Sequence, residues 1–516
     1  MNYCAPDWVS FHAGRDAKAP VLQLMETGDS MNWGQMEERV SIAAGMLAGT
    51  FGLKKGDRVS VIAENDFRVF EIKFACMRIG AIFVPLNWRL TANELSVMIA
   101  DAEPAILFHD EPWSEVGSLL AHGADHPIAL VGWNDNGGTY EYEMAHAVPL
   151  RAGRECNLDD VTHILYTSGT TGVPKGALVT HRMLLAQIQN TFADCALGLT
   201  GAKYLNPMPL FHAGGLTTLC APILGAGGTV AFSRRFDPDL YLEWLGDRDR
   251  GITHFNGSPI FFEQIAASSG FTSLNFNHIR HSHVAGATIV EHLLESWAAA
   301  GLLVQQFYGG TEMGPSAMAM PASRVLDKPG SCGRPLMLTQ ARLVDGEFTE
   351  VAGGSEGEVL LSGPAVTLGY WRRERSASDF VDGWFRTGDV ARADGDGFYY
   401  IVDRVKDLYK SGGESVFPAE IERALLELPL IEEVAVVGIP DTRWGEVGCA
   451  VVVPRAGAMP TLDDLHQHLG SRFARYKLPK AIEISDQLPR NALGKIDKKI
   501  LKVRLVNRHA QASAEA

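Results

Sequence analysis

Short apolar runs and longer amphipathic ones take turns along the first three fifths of the chain. "RVSVIAEN", "AIFVPLNWRL" and "PAILFHD" are rich in β-branched and aromatic residues, and between the first two lies the helical pattern "DFRVFEIKFACMRIG". Brief apolar runs bounded by turn residues predict buried strands, and their alternation with helices predicts the βαβ units of a parallel sheet. The rhythm continues to about residue 320. Beyond it, "GEVLLSG" and "DGWFRTGDVARADGDGFYYIVDR" carry Gly-Asp turns at short intervals, which predicts antiparallel hairpins or a small barrel. After "IVDRVKD" the pattern changes again. "PAEIERALLEL", with proline in its first turn, predicts a helix, "EEVAVVGIP" and "GCAVVVP" two strands, and "LDDLHQHLGSRFARY" a second helix. These make a compact α+β unit of about 110 residues, and the closing "HAQASAEA" reads as disordered.

Length and charge narrow the picture. A chain of 516 residues has room for several domains, and 46 lysines and arginines against 61 acidic residues give a net charge of −15 with no basic block, which excludes a nucleic-acid partner. The first residues lack a basic and apolar leader, and no uncharged apolar run approaches the roughly 18 residues of a membrane span, so a cytoplasmic protein is expected. Seven cysteines, an odd number with no C-x-x-C pair, point to reduced thiols.

The chemistry concentrates in "YTSGTTGVPKGALVTH", Tyr166 to His181. It follows the strand-like "VTHILY", precedes the helical "HRMLLAQIQN", and reads as a loop. Glycine-rich turns expose backbone N–H groups; with Thr and Ser hydroxyls and one ammonium they make a set of donors suited to phosphate oxygens. A P-loop is excluded, because counting from Gly169 the second glycine position holds Pro174, and Lys175 is followed by Gly176. In "HIRHSH" strand alternation puts His281 and His283 on one face; with no third ligand nearby, no metal is expected there.

"YTSGTTGVPKG" resembles the signature of the adenylate-forming superfamily of acyl- and aryl-CoA synthetases, luciferases and peptide-synthetase adenylation domains. "PMPLFHAGG", "QFYGGTEMG", "GWFRTGDVA", "DRVKDLYKSGGESVFPAEIE" and "PRNALGKIDKK" resemble further motifs of that family in the same order, so the resemblance spans nearly the whole chain. It implies an α/β fold: a large N-terminal domain over 1–403, made of two α/β sheet subdomains plus a small β-barrel, and a small mobile α+β domain over 404–516 with its hinge at Lys406. The implied enzyme is an AMP-forming acid–thiol ligase that uses ATP, Mg2+ and CoA. A carboxylate attacks the α-phosphorus, pyrophosphate leaves, and the acyl group passes from AMP to a thiol.

By the same resemblance Thr167, Ser168, Gly169, Thr170, Thr171, Gly172 and Lys175 wrap the β- and γ-phosphates. Gly286, Ala287 and Tyr308 hold the adenine side, Gly309 belongs to the nucleotide site, Thr311 takes the α-phosphate, Asp389 the ribose, Arg404 the same sugar or the phosphates, and Glu312 the Mg2+. Lys495 is the catalytic ammonium between carboxylate and α-phosphate; with His212, Thr311 and Glu312 it makes the catalytic set. Its neighbours Lys498, Lys499 and Lys502 read as a solvated face. Gly412, Gly413 and Trp444 line the path of CoA.

Phe211, His212, Phe255, Phe261 and Met313 border the acyl pocket; Ser258 can cap a helix carrying Ile260, Phe261 and Ile265, and Met318 and Met320 add apolar wall. No cationic side chain appears in these segments, which points to an apolar monocarboxylic acid rather than a dicarboxylic one. A medium- or long-chain fatty acid is expected first. The alternatives are an aryl acid of the cinnamate, coumarate or benzoate type, or an adenylating enzyme that loads a separate carrier protein. The partners are thus small molecules, and the resemblance leaves room for a homodimer.

Overall fold

A computed structural model describes residues 5–134, 138–167, 174–194, 201–404, 407–411, 414–441, 444–470, 472–473, 475–490 and 496–514. The α/β rhythm becomes two sheets. Six strands run in the order Ala129–Trp133, Ile106–Asp110, Arg58–Ile62, Ile82–Pro85, Val161–Thr167 and Lys175–Thr180; the first five are parallel and the last antiparallel. The crossover helix Phe67–Ile79 is fixed at both ends. Asp66 accepts from the Arg68 N–H, and Gly80, at φ 74°, closes it in the left-handed conformation that glycine adopts without strain. Its residues from Val69 to Ile79 are all buried, which explains an apolar pattern too broad for a surface helix.

The second sheet has nine strands, ordered Arg334–Pro335, Met318–Ala319, Gln305–Tyr308, His281–Val284, His254–Gly257, Lys203–Asn206, Thr229–Phe232, Pro20–Leu24 and Ser30–Asn32. Its central pairings are parallel. Helix Pro259–Ala267 covers part of it and packs through Phe262 and Ile265; Ile260, expected on the packed face, is half exposed. Ser258 stands at the N-cap position, but its side chain makes no capping bond.

By compactness the chain divides into Met1–Ala341 with Leu361–Phe385, which holds both of these sheets, and Arg342–Leu360 with Arg386–Ala516. The second unit carries most of a curled antiparallel sheet, half of a barrel, in which Phe380–Val381 and Tyr399–Arg404 both pair with Trp384–Ala393. Next comes the small α+β domain. Its sheet is ordered Glu414–Val416, Tyr409–Ser411, Gly445–Pro454 and Ile431–Asp441, with Ala481–Ile484 parallel to Gly445–Pro454.

Strand Ile431–Asp441 is buried on both faces. Val434 and Val436 pack with Ile421, Leu425, Leu465 and Leu469 of helices Pro418–Leu425 and Leu462–Leu469, while Ala435 and Val437 pack with Leu501 and Leu505 of helix Lys498–Ala514. Three expectations are corrected here. The closing segment is helical through Ala514 rather than disordered, because the helix is anchored by Leu501 and Leu505. The helix expected over "LDDLHQHLGSRFARY" ends at Leu469. Lys498 is not on a solvated face: its Nζ lies 2.8 Å from the Glu422 carboxylate, with both side chains mostly buried.

Candidate active site

The phosphate-loop segment is an antiparallel hairpin at both ends. Thr167 and Lys175 are register partners, so the strands Val161–Thr167 and Lys175–Thr180 bring the loop's ends together. This corrects the reading of the whole stretch as loop: Lys175 to Thr180 is a strand, and the helix begins at His181. Gly176 allows the pairing, since a Cβ there would meet the Ile164 methyl at 2.6 Å. Ser168, Gly169, Thr170, Thr171 and Gly172 lie outside the described residues.

The Thr167–Lys175 end of the hairpin meets Glu312. Strand Gln305–Tyr308 ends at Tyr308, and Gly309 follows where a Cβ would lie 2.1 Å from the Pro315 carbonyl oxygen, so only glycine fits that bend. A single 3-10 turn, Thr311–Met313, then presents Glu312, whose Oε1 accepts from Thr167 Oγ1 at 2.9 Å and from Tyr370 Oη at 3.2 Å. Lys175 Nζ lies 3.0 Å from Asp379 Oδ1 and 4.7 Å from the centre of the Tyr370 ring. Burial, reinforced by the nearby Glu312 and Asp379 charges, holds the Tyr370 phenol above its ordinary value and therefore as a donor. The result is a half-buried carboxylate fixed by two hydroxyl donors, beside an ammonium held by a second carboxylate. Oxygen donors around one acidic group suit a hard divalent cation, so the residues fit Mg2+.

Tyr370 and Asp379 were not predicted. Both lie in a stretch read only as hairpin texture. Gly369 to Trp371 runs against strand Lys175–Thr180, with Leu178 N–H donating to Gly369 O and Trp371 N–H to Gly176 O, and this pairing brings Tyr370 to the hairpin.

Of the residues expected to hold the nucleotide, Gly286 has φ 89° and the Ala287 carbonyl accepts from Gln306 Nε2 at 3.2 Å. Tyr308, Thr311 and Met313 are buried. In the gate segment, His212 Nδ1 accepts from the Gly214 N–H at 3.0 Å. The Phe211 ring meets Trp88 edge-on at 6.2 Å. Phe255 is fully buried edge-on against Phe262 at 5.1 Å, and Phe261 against Phe236 at 4.6 Å.

In the second unit Asp389 and Arg404 are cross-strand partners, joined by an ion pair of 2.5 Å; Asp389 is buried and Arg404 reaches solvent. Trp444 is 40% exposed, with its backbone N–H donating to Asp441 Oδ1. Lys406, Gly412, Gly413 and Lys495 lie outside the described residues. The histidine pair does have a third ligand atom close by. Asp194, the last residue of helix His181–Asp194, puts Oδ2 3.9 Å from His281 Nε2 and 3.7 Å from His283 Nε2. Sequence alone could not bring them together, because the helix and the strand are far apart along the chain.

This fold, with its cluster at Glu312, is that of an ATP-using ligase. Residues 9–371 match the AMP-binding enzyme family and residues 420–495 match the AMP-binding enzyme C-terminal domain, and the chain belongs to this family. It is 38% identical to a feruloyl-CoA synthase of an Amycolatopsis species over 471 residues, 91% of this chain and 93% of that one. It is 36% identical to an indoleacetate–CoA ligase of Aromatoleum aromaticum over 504 residues, 95% and 96% of the two chains. ATP-bound MatB from Rhodopseudomonas palustris superposes with a TM-score of 0.88 at 29% identity, covering 98% of this chain and 99% of that one. The protein is an ATP- and Mg2+-dependent, adenylate-forming ligase that joins a carboxylic acid to CoA. Among the described residues no helix is long and apolar enough to cross a membrane.

Proposed function

We propose that the enzyme activates an aryl-substituted monocarboxylic acid, in preference to the fatty acid expected first, and hands the acyl group to CoA. Support comes from the relatives named for feruloyl and indoleacetate substrates, which align over more than nine tenths of this chain. The observation that carries the adenylation chemistry is the convergence of Thr167 and Tyr370 on Glu312 beside Lys175. In this reading Glu312 and Thr167 hold Mg2+, which neutralises phosphate charge when bound. Lys175, with Ser168 to Gly172, takes the terminal phosphates. Tyr308, Gly309, Gly286 and Ala287 take adenine, Thr311 the α-phosphate, and Asp389 with Arg404 the ribose.

Lys495 supplies the ammonium for adenylation. The 404–516 domain then turns about Lys406 and brings Gly412, Gly413 and Trp444 to the thiol. His212, Phe211, Phe255, Phe261 and Met313 border the acid. His212 Nδ1 accepts a hydrogen bond, which in the neutral ring puts the proton on Nε2 as a donor suited to a carboxylate. The enzyme works in the cytoplasm; its described cysteines are buried.

The test is acid-dependent exchange of pyrophosphate into ATP across hydroxycinnamates, arylacetates, benzoates and straight-chain fatty acids, followed by CoA or a carrier protein. Aryl acids should give the highest kcat/KM and CoA should release AMP. A fatty acid preferred at least tenfold over every aryl acid would reverse the substrate reading and leave adenylation standing.

A further inference from the structure

One face of the nine-stranded sheet carries polar residues where a buried strand ordinarily carries apolar ones. His254 is the register partner of Tyr204 and of His281, and Asn256 of His283. Register partners share a face, so Tyr204, His254, Asn256, His281 and His283 look the same way, all buried. Most of this layer is hydrogen-bonded within itself: Tyr204 Oη donates to Asn206 Oδ1 at 3.0 Å, and His254 Nδ1 contacts Thr253 Oγ1 at 2.6 Å. At its edge the account does not close. Among the described residues, both ring nitrogens of His283, Asp194 Oδ2 and the second ring nitrogen of His254 are buried with no hydrogen-bond partner. Native structures leave few such atoms, and each one calls for a partner.

Asp194 sharpens the question. Its carboxylate sits at the C-terminal end of helix His181–Asp194, where the helix dipole already disfavours negative charge. The side chain is only 10% exposed. Burial raises the carboxyl's pKa and lowers those of both imidazoles, and the charge interaction resolved for Asp194 is with His281 rather than with any lysine or arginine. The three side chains offer what a cation uses: one carboxylate oxygen and two neutral ring nitrogens. Water is a poor candidate for the missing partner, because these atoms have essentially no surface accessible to it.

We propose that Asp194, His281 and His283 bind one divalent transition-metal ion of the zinc class through Oδ2 and two Nε2 atoms. These donor atoms lie within 4.8 Å of one another, and the two nitrogens are 3.9 and 3.7 Å from the oxygen. Ligands at roughly 2.0–2.2 Å from a tetrahedral ion stand about 3.4 Å apart, so a contraction of a few tenths of an ångström brings each nitrogen to its distance from the oxygen, and the two rings turn toward each other to close the set. Mixed imidazole and carboxylate donors select zinc, cobalt or nickel over Mg2+. The ion supplies the positive charge that the helix end lacks and ties that end to the sheet. The site is separate from the Mg2+ position at Glu312 and does not depend on which acid the enzyme uses.

Full-length protein stripped by a chelator and kept free of nucleotide is titrated with Co2+. The expected result is visible d–d absorption saturating at one Co2+ per chain and displaced by Zn2+. Asp194→Asn and His283→Gln should each weaken binding at least tenfold, while Glu312→Gln leaves it unchanged. Saturating Zn2+ should raise the Tm of the native protein and not that of Asp194→Asn, a readout that survives if His283→Gln fails to fold. Absence of the band in the native protein, its retention at full affinity in Asp194→Asn, or its loss in Glu312→Gln would each overturn the assignment.

Discussion

The ion pair between Lys175 and Asp379 gives the most direct test of the phosphate site. If Lys175 serves the triphosphate, ATP must draw the ammonium away from a carboxylate only 3.0 Å distant. The two side chains are 15% and 16% exposed, so the pair is neither solvated nor fully dry. Coulomb's law at 3.0 Å gives ~5.5 kcal/mol at an effective dielectric of 20 and ~1.4 kcal/mol at that of water. Desolvation offsets much of the larger figure, and a hydrogen bond to a charged group is worth about 1.5–3 kcal/mol net. Asp379→Asn keeps an oxygen for the Ser376 hydroxyl that Asp379 Oδ2 now accepts, and it removes the competing charge. With about 1.5 kcal/mol released, KM for ATP in the exchange assay should fall roughly tenfold while kcat changes little. Direct titration with a non-hydrolysable ATP analogue should show the same gain in Kd. An unchanged or raised KM in a variant with native circular dichroism would refute the reasoning and make Asp379 a positioning partner of the bound lysine.

Three further outcomes follow from individual charges. Lys495→Ala should abolish pyrophosphate exchange by 100-fold or more, on the order of one electrostatic donor to a developing charge, yet leave thiol capture of a supplied acyl-adenylate intact; surviving exchange refutes the assignment. Burial pushes the Asp110 carboxyl up to about 7, with the Glu64 and Asp66 charges adding to the effect. Its folded pKa is raised, so its stabilisation is full below the unfolded value and is lost as pH rises through about 7. Asp110→Asn should therefore gain stability over the native protein between pH 5 and 8, by at most about 4 kcal/mol, and parallel urea midpoints across that range would refute it. Lys73 is fully buried, and the one hydrogen bond shown for its ammonium is a long contact of 3.5 Å to the Leu216 carbonyl. Burial lowers its pKa, so Lys73→Met should stabilise the fold by about 1–3 kcal/mol at pH 7, with the advantage shrinking as pH approaches 10.5. A lower Tm in that variant would show that the ammonium has a partner of real strength.

What the sequence reveals is what its local pattern can carry. The short apolar run in "EEVAVVGIP" predicts a strand, and the structure uses both faces, Val434 and Val436 on one side and Ala435 and Val437 on the other. The loop expected to hold phosphate stands out in the sequence because its glycines, hydroxyls and lysine fall in one short stretch. The partners of those residues do not, since Asp379 is 204 positions from Lys175 and Thr167 is 145 from Glu312. Strand Lys175–Thr180 was hidden for another reason. Its Gly176 looks like a turn residue but is there for close hairpin packing against Ile164. The acid's identity is the least legible property, because apolar and aromatic lining residues have the same pattern as core.

The polar residues inside the sheet explain why the loops at its edge can be precise. Tyr308 ends one strand, and Gly286 follows the end of the neighbouring one, so both lie at the carboxyl ends of parallel strands, where backbone groups are released from the ladder and can face a ligand. Freed backbone groups are also free to move unless something holds them. Gln306, 8% exposed, does this from within the strand: its Oε1 accepts from the Ile289 N–H at 3.1 Å and its Nε2 donates to the Ala287 carbonyl at 3.2 Å. One buried amide thus anchors both ends of the short loop after Gly286. A leucine there would suit the core better but would leave an N–H and a carbonyl unmatched, each at about 1–3 kcal/mol, and the loop would relax to find water. Polar residues in this sheet are therefore the means by which the strand ends stay in place, and among the described residues the orphaned atoms of Asp194 and His283, with His254 Nε2 beside them, mark where the protein's own groups leave the pairing unfinished.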